Sequence, residues 1–177
     1  MREVVVSSWL GLADFDPPFV NTVEELEPYC AAIRPYVVGY PIDRISAAYN
    51  LYYDDWNTDL PILIEVNGHC IDIMNFKFDE VTLGIDRLSP KTEIEKDWEQ
   101  WDLEWREYRV EGVLGSVIED VRPCIEENPR FMNYGLLFGV EFTLSTGVLR
   151  VANGLDTNMF IVCDADGSNE KIYREGL

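Results

Sequence analysis

The sequence predicts an α+β protein in which two antiparallel β-meander halves are joined by an aromatic helix. Three observations support this fold class. Apolar and polar residues alternate in both halves on either side of a turn glycine. A helix start signal precedes an apolar face near the N-terminus, and aromatic residues recur at helical spacing in the middle of the chain. We therefore expect segments 1–89 and 90–177 to pack as one compact unit.

The first half begins with a strand and a helix. Residues 4–10 form an apolar run that predicts a strand. Thr22 stands three residues before Glu25, which is the spacing of a capping box, and Pro35 marks the expected helix end after about three turns. The apolar face of this N-terminal helix consists of Leu26, Tyr29, Cys30 and Ile33.

The first meander follows the helix. Residues 45–53 alternate with a period of two, which favours a strand, although a helix is the alternative. The Asn-Gly pair at 67–68 lies between the apolar runs 62–66 and 70–74, and this is a strong hairpin signal. The segment 76–85 supplies a fourth strand.

The second half shows a similar order of elements. Strands are expected at 113–125, 134–144, 148–152 and 159–163, with a turn at 145–147. A tandem duplication of one meander is one interpretation of this similarity. Two independent sets of antiparallel hairpins would share the same features, so the sequence leaves both open.

The segment 90–110 between the halves is rich in tryptophan. Trp98, Trp101, Trp105 and Tyr108 are spaced three, four and three residues apart, which places all four rings on one face of a helix. We expect this bridging helix to lay its aromatic stripe on a sheet. A groove for a partner is the alternative, since Trp and Tyr are frequent in interface hot spots.

No motif in the sequence indicates catalysis, a metal or a cofactor. The four cysteines are widely separated, without a Cys-x-x-Cys pair, and His69 is the only histidine. The segment 164–170 resembles a calcium loop but has glycine at the fourth position instead of the sixth. Neighbouring acids are expected by chance in a chain with 33 of them. We therefore predict no catalytic residues, no metal and no cofactor.

The charge indicates the kind of partner. The chain carries 33 Asp and Glu against 14 Lys and Arg, a formal net charge of −19. Such a surface repels nucleic acid and anionic membranes and attracts basic proteins. The acidic N-terminus and the lack of a long apolar run predict a cytoplasmic protein without a membrane segment.

Acidic residues near aromatic ones are the candidate contacts for a basic partner. One group lies in the loop before the first hairpin and the other follows that hairpin. The oligomeric state stays open, because strands at 4–10 or 159–163 could pair between chains. The candidate partner-binding residues are Asp54, Asp55, Trp56, Asp59, Asp79 and Glu80.

The second half resembles small acidic bacterial proteins of the polymorphic-toxin immunity type. The similarity is carried by LGSVI at 114–118, GVEFTL at 139–144, GVLRV at 147–151 and NGLDTN at 153–158. It implies a cytosolic, non-enzymatic inhibitor of a cognate toxin, often a basic nuclease. The alternatives are an acidic adaptor or nucleic-acid mimic that binds another basic protein and, less favoured, an enzyme that uses carboxylates.

Overall fold

The computed structural model describes residues 8–96, 100–127, 134–154, 157–166 and 169–174. Within these ranges the chain forms one α-helix and two large antiparallel sheets, which confirms the α+β class. The elements in chain order are β1 (Ser8–Trp9), β2 (Leu12–Ala13), α1 (Val23–Val37), β3 (Ile42–Asn50), β4 (Asp55–Trp56), β5 (Ile62–Val66), β6 (His69–Phe76), β7 (Glu80–Ile85), β8 (Leu103–Glu107), β9 (Ile118–Ile125), β10 (Leu137–Leu144), β11 (Gly147–Asn153), β12 (Asn158–Asp164) and β13 (Glu170–Arg174).

The N-terminal segment forms a small hairpin. Of the predicted strand at 4–10, the structure describes β1, which pairs with β2, and residues 4–7 lie outside the described residues. Leu12 and Phe15 pack with Ala48 and Leu63 in an apolar cluster separate from the main core. The hairpin region therefore covers one face of the first sheet.

Helix α1 begins where the capping signal predicts. The Thr22 Oγ1 accepts a hydrogen bond from the Glu25 backbone N–H at 3.2 Å. The predicted apolar face is confirmed, since Leu26, Cys30 and Ile33 are buried. The helix continues two residues past Pro35, to Val37, so the predicted end was too early.

The first large sheet contains the predicted meander. Strands β3, β5, β6 and β7 are antiparallel neighbours in that order. Asn67 and Gly68 both have positive φ, 51° and 78°, as the tight turn between β5 and β6 requires, so the predicted hairpin is confirmed. Strand β3 ends at Asn50, three residues before the predicted end.

The second large sheet is a five-stranded meander of β9 to β13. Strand β9 begins only at Ile118, because residues 110–116 make consecutive turns in which Gly112 and Gly115 have positive φ. The predicted strand at 113–125 was therefore too long. A fifth strand at Glu170–Arg174, absent from the sequence prediction, covers β12, which leaves β12 without an open edge. Duplication of one meander stays a prediction.

The predicted aromatic helix at 90–110 is wrong. The described part of this segment contains no helix, and Leu103–Glu107 forms β8, which pairs with β3 over five residue pairs. Trp105 packs against the apolar cluster that contains Leu12 and Phe15, whereas Tyr108 lies in the main core and stacks on Phe160. Backbone hydrogen bonds with the edge of β3 stabilise this segment as a strand. The helical spacing of its aromatic residues is only a local signal, and it does not include these distant bonds. Trp98 lies outside the described residues.

Both sheets and the helix contribute to one apolar core. Ile45 and Ile64 from the first sheet, Phe142 and Phe160 from the second, and Leu26 from the helix belong to the same buried cluster. Arg34 fastens the helix to β9 by donating from Nε to the backbone carbonyl of Val121 at 2.9 Å. The two meanders are thereby held together.

Candidate functional site

The sheet topology brings all six predicted contact residues to one end of the first sheet. Because β3, β5, β6 and β7 alternate in direction, the end of β3, the start of β5, the end of β6 and the start of β7 lie side by side. We call this surface the acidic end. Strands β3 and β4 pair as a hairpin with its tip at 51–54. The acidic end comprises this hairpin tip, strand β4, the loop 57–61, the turn 77–79 and Glu80.

The hairpin tip presents apolar side chains to solvent. The Asn50 side-chain carbonyl accepts hydrogen bonds from the backbone N–H groups of Tyr52 and Tyr53, at 2.9 and 3.1 Å. This local turn ends β3 and directs the tip outward. Leu51, Tyr52 and Tyr53 are 44%, 50% and 59% exposed. The sequence prediction placed these residues within a strand and did not include Leu51, Tyr52 or Tyr53 among the candidate contacts.

A column of rings connects the hairpin to the core. The Trp56 ring lies between Tyr49 and Tyr108, with centroid distances of 5.2 and 4.8 Å, and Tyr108 stacks on Phe160 at 5.1 Å. Trp56 is half-buried. The Trp56 ring therefore positions β4 and presents only part of its surface to solvent, whereas Asp54 and Asp55 are exposed.

A cation stacks on the same hairpin. The Arg106 guanidinium carbon lies 3.8 Å from the centroid of the Tyr49 ring, and Nε is 2.5 Å from Glu104 Oε1. The Tyr49 hydroxyl donates a hydrogen bond to Asp54 Oδ1 at 2.7 Å. This bond to a carboxylate raises the pKa of Tyr49. At this hairpin one guanidinium therefore lies beside both an aromatic ring and a carboxylate.

An open cavity of about 390 Å³ lies beside β4. Two of the predicted contact residues, Asp55 and Asp59, line this cavity with Tyr53, Trp56 and Trp101. The sequence prediction missed Tyr53 and Trp101 as part of this surface. The remaining lining residues are Asn50, Asn57, Thr58 and Gln100.

The turn between β6 and β7 supplies the other two predicted acids. Asp79 is half-buried, and the Glu80 carboxylate forms an ion pair with Lys77 Nζ at 2.8 Å. Phe78 is 49% exposed and adds an apolar surface that the prediction missed. The charge of Glu80 is therefore balanced by Lys77, whereas Asp54 accepts a hydrogen bond from the neutral Tyr49 hydroxyl and Asp55 accepts one from the Trp56 backbone N–H.

Buried asparagines fix the loops of the acidic end to the second sheet. The Asn158 side-chain carbonyl accepts hydrogen bonds from the Asn75 backbone N–H and Nδ2, at 2.9 and 3.0 Å. Asn158 Nδ2 donates to the carbonyls of Thr58 and Leu60, at 3.2 and 2.8 Å. Asn153 Nδ2 donates to the Lys77 carbonyl at 2.8 Å. The loops that carry the acids are therefore preorganised.

The histidine is paired with a carboxylate, and the four cysteines are buried. His69 Nδ1 lies 2.7 Å from Asp86 Oδ2, at the rim of a cleft of about 800 Å³ at the opposite end of the first sheet. Burial raises the pKa values of Cys30, Cys70 and Cys124 to about 12, so these thiols stay protonated at neutral pH. A protonated thiol is a poor nucleophile and a poor metal ligand.

Among the described side chains, no group of three or more His, Cys, Asp or Glu is arranged to hold a metal ion. The described helix is too short and too polar to cross a membrane. Comparison with protein-family models, with curated proteins and with solved structures finds no match to this chain.

Proposed function

We propose that this protein is a non-catalytic inhibitor of the immunity type that binds and neutralises a cognate basic toxin, of which a nuclease is one candidate class. The observation that carries the proposal is the acidic end, where exposed aromatic rings and carboxylates lie together on preorganised loops. Aromatic anchors surrounded by polar groups are typical of protein interfaces.

The charge supports capture of a basic protein. A net charge of −19 produces a negative field around the whole molecule, and such fields raise association rates by about 10- to 1,000-fold. An inhibitor must bind its toxin before the toxin reaches its substrate, so a fast association is an advantage. The exposed Leu51, Tyr52 and Tyr53 then supply the short-range contacts that slow dissociation.

A second candidate is an acidic adaptor or nucleic-acid mimic that binds a basic protein other than a toxin. The tip favours it through one feature, the pair of rings at Tyr52 and Tyr53 directly before the carboxylates of Asp54 and Asp55. Rings beside negative charges are also the groups that a single-stranded nucleic acid presents. Both candidates act in the cytoplasm.

Two matched variants test the proposal. The acidic-end variant D54N/D55N/D59N removes three charges from the proposed surface. The opposite-end variant D43N/E93Q/E119Q removes the same charge from exposed residues elsewhere: Asp43 near the start of β3, Glu119 near the start of β9, and Glu93 in the segment between β7 and β8. Because both variants lose the same net charge, a difference between their effects indicates a local contact, and equal effects indicate a general electrostatic attraction.

The experiment has two steps. Immobilised protein first captures partners from a lysate of the source cells, and the captured protein is then expressed in bacterial cells with or without this protein. We expect co-expression of the wild type and of the opposite-end variant to restore growth, and the acidic-end variant to restore it poorly. A captured partner that is harmless to the cells would favour the adaptor, and restoration of growth equally by all three proteins would contradict a contact at the acidic end.

A further inference from the structure

The cavity beside β4 is suited to one cationic side chain. Its lining combines carboxylates from Asp55 and Asp59 with the rings of Tyr53, Trp56 and Trp101. None of the described residues that line it is basic. A carboxylate attracts a cation, and the face of an aromatic ring adds a second favourable interaction with the same charge.

The neighbouring Arg106 shows how this hairpin receives a guanidinium. That group stacks 3.8 Å above Tyr49, close to Asp54, while its Nε bonds to Glu104. The negative charges of Glu104 and Asp54 raise the pKa of Arg106, with the hydrogen bond to Glu104 as the largest cause. The chain therefore already contains one guanidinium between a ring and carboxylates, on the strands that border the cavity.

The rim of the cavity is held in place before any ligand arrives. The Asn57 side-chain carbonyl accepts hydrogen bonds from the N–H groups of Asp59 and Leu60, both at 3.1 Å. Asn50 Nδ2 donates to the Gln100 carbonyl at 2.9 Å, which fixes the opposite wall. A preorganised site loses less conformational entropy on binding.

We infer that this cavity binds one arginine side chain of the basic partner. The inference rests on the proposed function, because the partner supplies the arginine. The planar guanidinium stacks on a ring of the cavity while its N–H groups donate to the carboxylates of Asp55 and Asp59. Lysine fits less well, since its ammonium is compact, more strongly hydrated and cannot stack as a plane.

Small probes test the cavity without the partner. The isotopically labelled protein is titrated with N-acetyl-arginine methylamide, with the lysine compound of the same charge, and with the neutral citrulline compound of nearly the same shape. Indole and amide NMR signals report binding. We expect the arginine compound to shift the signals of Trp56, Trp101 and their neighbours, to bind at least about threefold more tightly than the lysine compound, and the citrulline compound to have no effect.

Variants test which charges are responsible. We expect D55N/D59N to weaken binding of the arginine compound by about tenfold, whereas D43N/E119Q, which removes the same charge from exposed residues at the opposite end, leaves it unchanged. Circular dichroism checks that both variants fold. Equal binding of the arginine and lysine compounds, or shifts spread over the whole acidic surface, would overturn the inference.

The outcomes for the cavity and for the proposed function are separable. If the arginine compound fails to bind while a toxin is still neutralised through the acidic end, the cavity inference fails and the inhibitor proposal stands. If the arginine compound binds in the cavity but no toxin is neutralised, the cavity inference stands and the proposed function fails.

Discussion

Replacing Asn158 with alanine should destabilise the protein more than any surface change at the acidic end. The side chain makes four hydrogen bonds in a buried position, two with Asn75 and one each with the carbonyls of Thr58 and Leu60. Each buried hydrogen bond contributes roughly 0.5–1.5 kcal/mol to the free energy of unfolding, and a buried donor left without a partner costs about 1–3 kcal/mol.

These values give an expected loss of about 3–5 kcal/mol for N158A. A chain of 177 residues loses roughly 2–4 °C in Tm per kcal/mol, so the Tm should fall by about 6–20 °C. Urea unfolding followed by circular dichroism measures the change. The control N21A alters an exposed asparagine and should change the free energy of unfolding by less than about 0.5 kcal/mol. A loss below about 1 kcal/mol for N158A would refute the role of Asn158 as the link between the sheets and the loops.

Three further results are expected. Y53S removes a ring that is 59% exposed, so the free energy of unfolding should change by less than about 0.5 kcal/mol while the affinity for the captured partner falls about tenfold; unchanged affinity would exclude the tip from the contact. Burial raises the pKa of Cys30 and Cys124 to about 12. A thiol reagent at a pH of about 8 should therefore label the folded protein slowly, whereas it should label all four cysteines after unfolding. Rapid labelling of the folded protein would contradict this burial. Burial acts to raise the pKa of Asp86, but the hydrogen bonds from Cys70 N–H and His69 outweigh it and lower the pKa. The Tm advantage of the wild type over D86N should therefore shrink as the pH falls below about 4. An advantage that is constant from neutral to acidic pH would contradict the pairing.

Local turn and cap chemistry allowed much of the fold to be predicted from the sequence. Asn67 and Gly68 tolerate the positive φ that their turn requires, and Thr22 offers the side-chain oxygen that starts α1. Signals of this kind depend on a few neighbouring residues. The strands on either side of the turn and the beginning of the helix therefore lie where the sequence placed them.

Interactions between residues far apart in the chain explain the errors. Strand β8 forms because the edge of β3, more than fifty residues earlier, supplies its hydrogen bonds, and spacing within 90–110 contains no information about that edge. The Asn158–Asn75 contact spans 83 residues and was missed for the same reason. Asn50 is an exception, since an asparagine at the end of an alternating run is a local turn signal that could have ended the strand before Tyr52.

Partner contact by the six proposed residues stays a prediction. These residues lie at one end of the first sheet, but the sequence did not reveal that Glu80 is paired with Lys77 or that Trp56 is half-buried. The exposed rings of Tyr53 and Phe78 were counted as strand residues. Alternation assigns side chains to two faces of a strand, whereas exposure at a tip depends on where the strand stops.

The most direct test of the acidic end is the association rate constant for the captured basic partner, measured by surface plasmon resonance at low salt and at about 0.5 M salt. We expect the acidic-end variant to associate about tenfold more slowly than the opposite-end variant at low salt, with the difference shrinking at high salt and with wild-type binding still detectable there. Equal rates for the two variants would show that the attraction comes from net charge alone, and would contradict a partner contact at the acidic end.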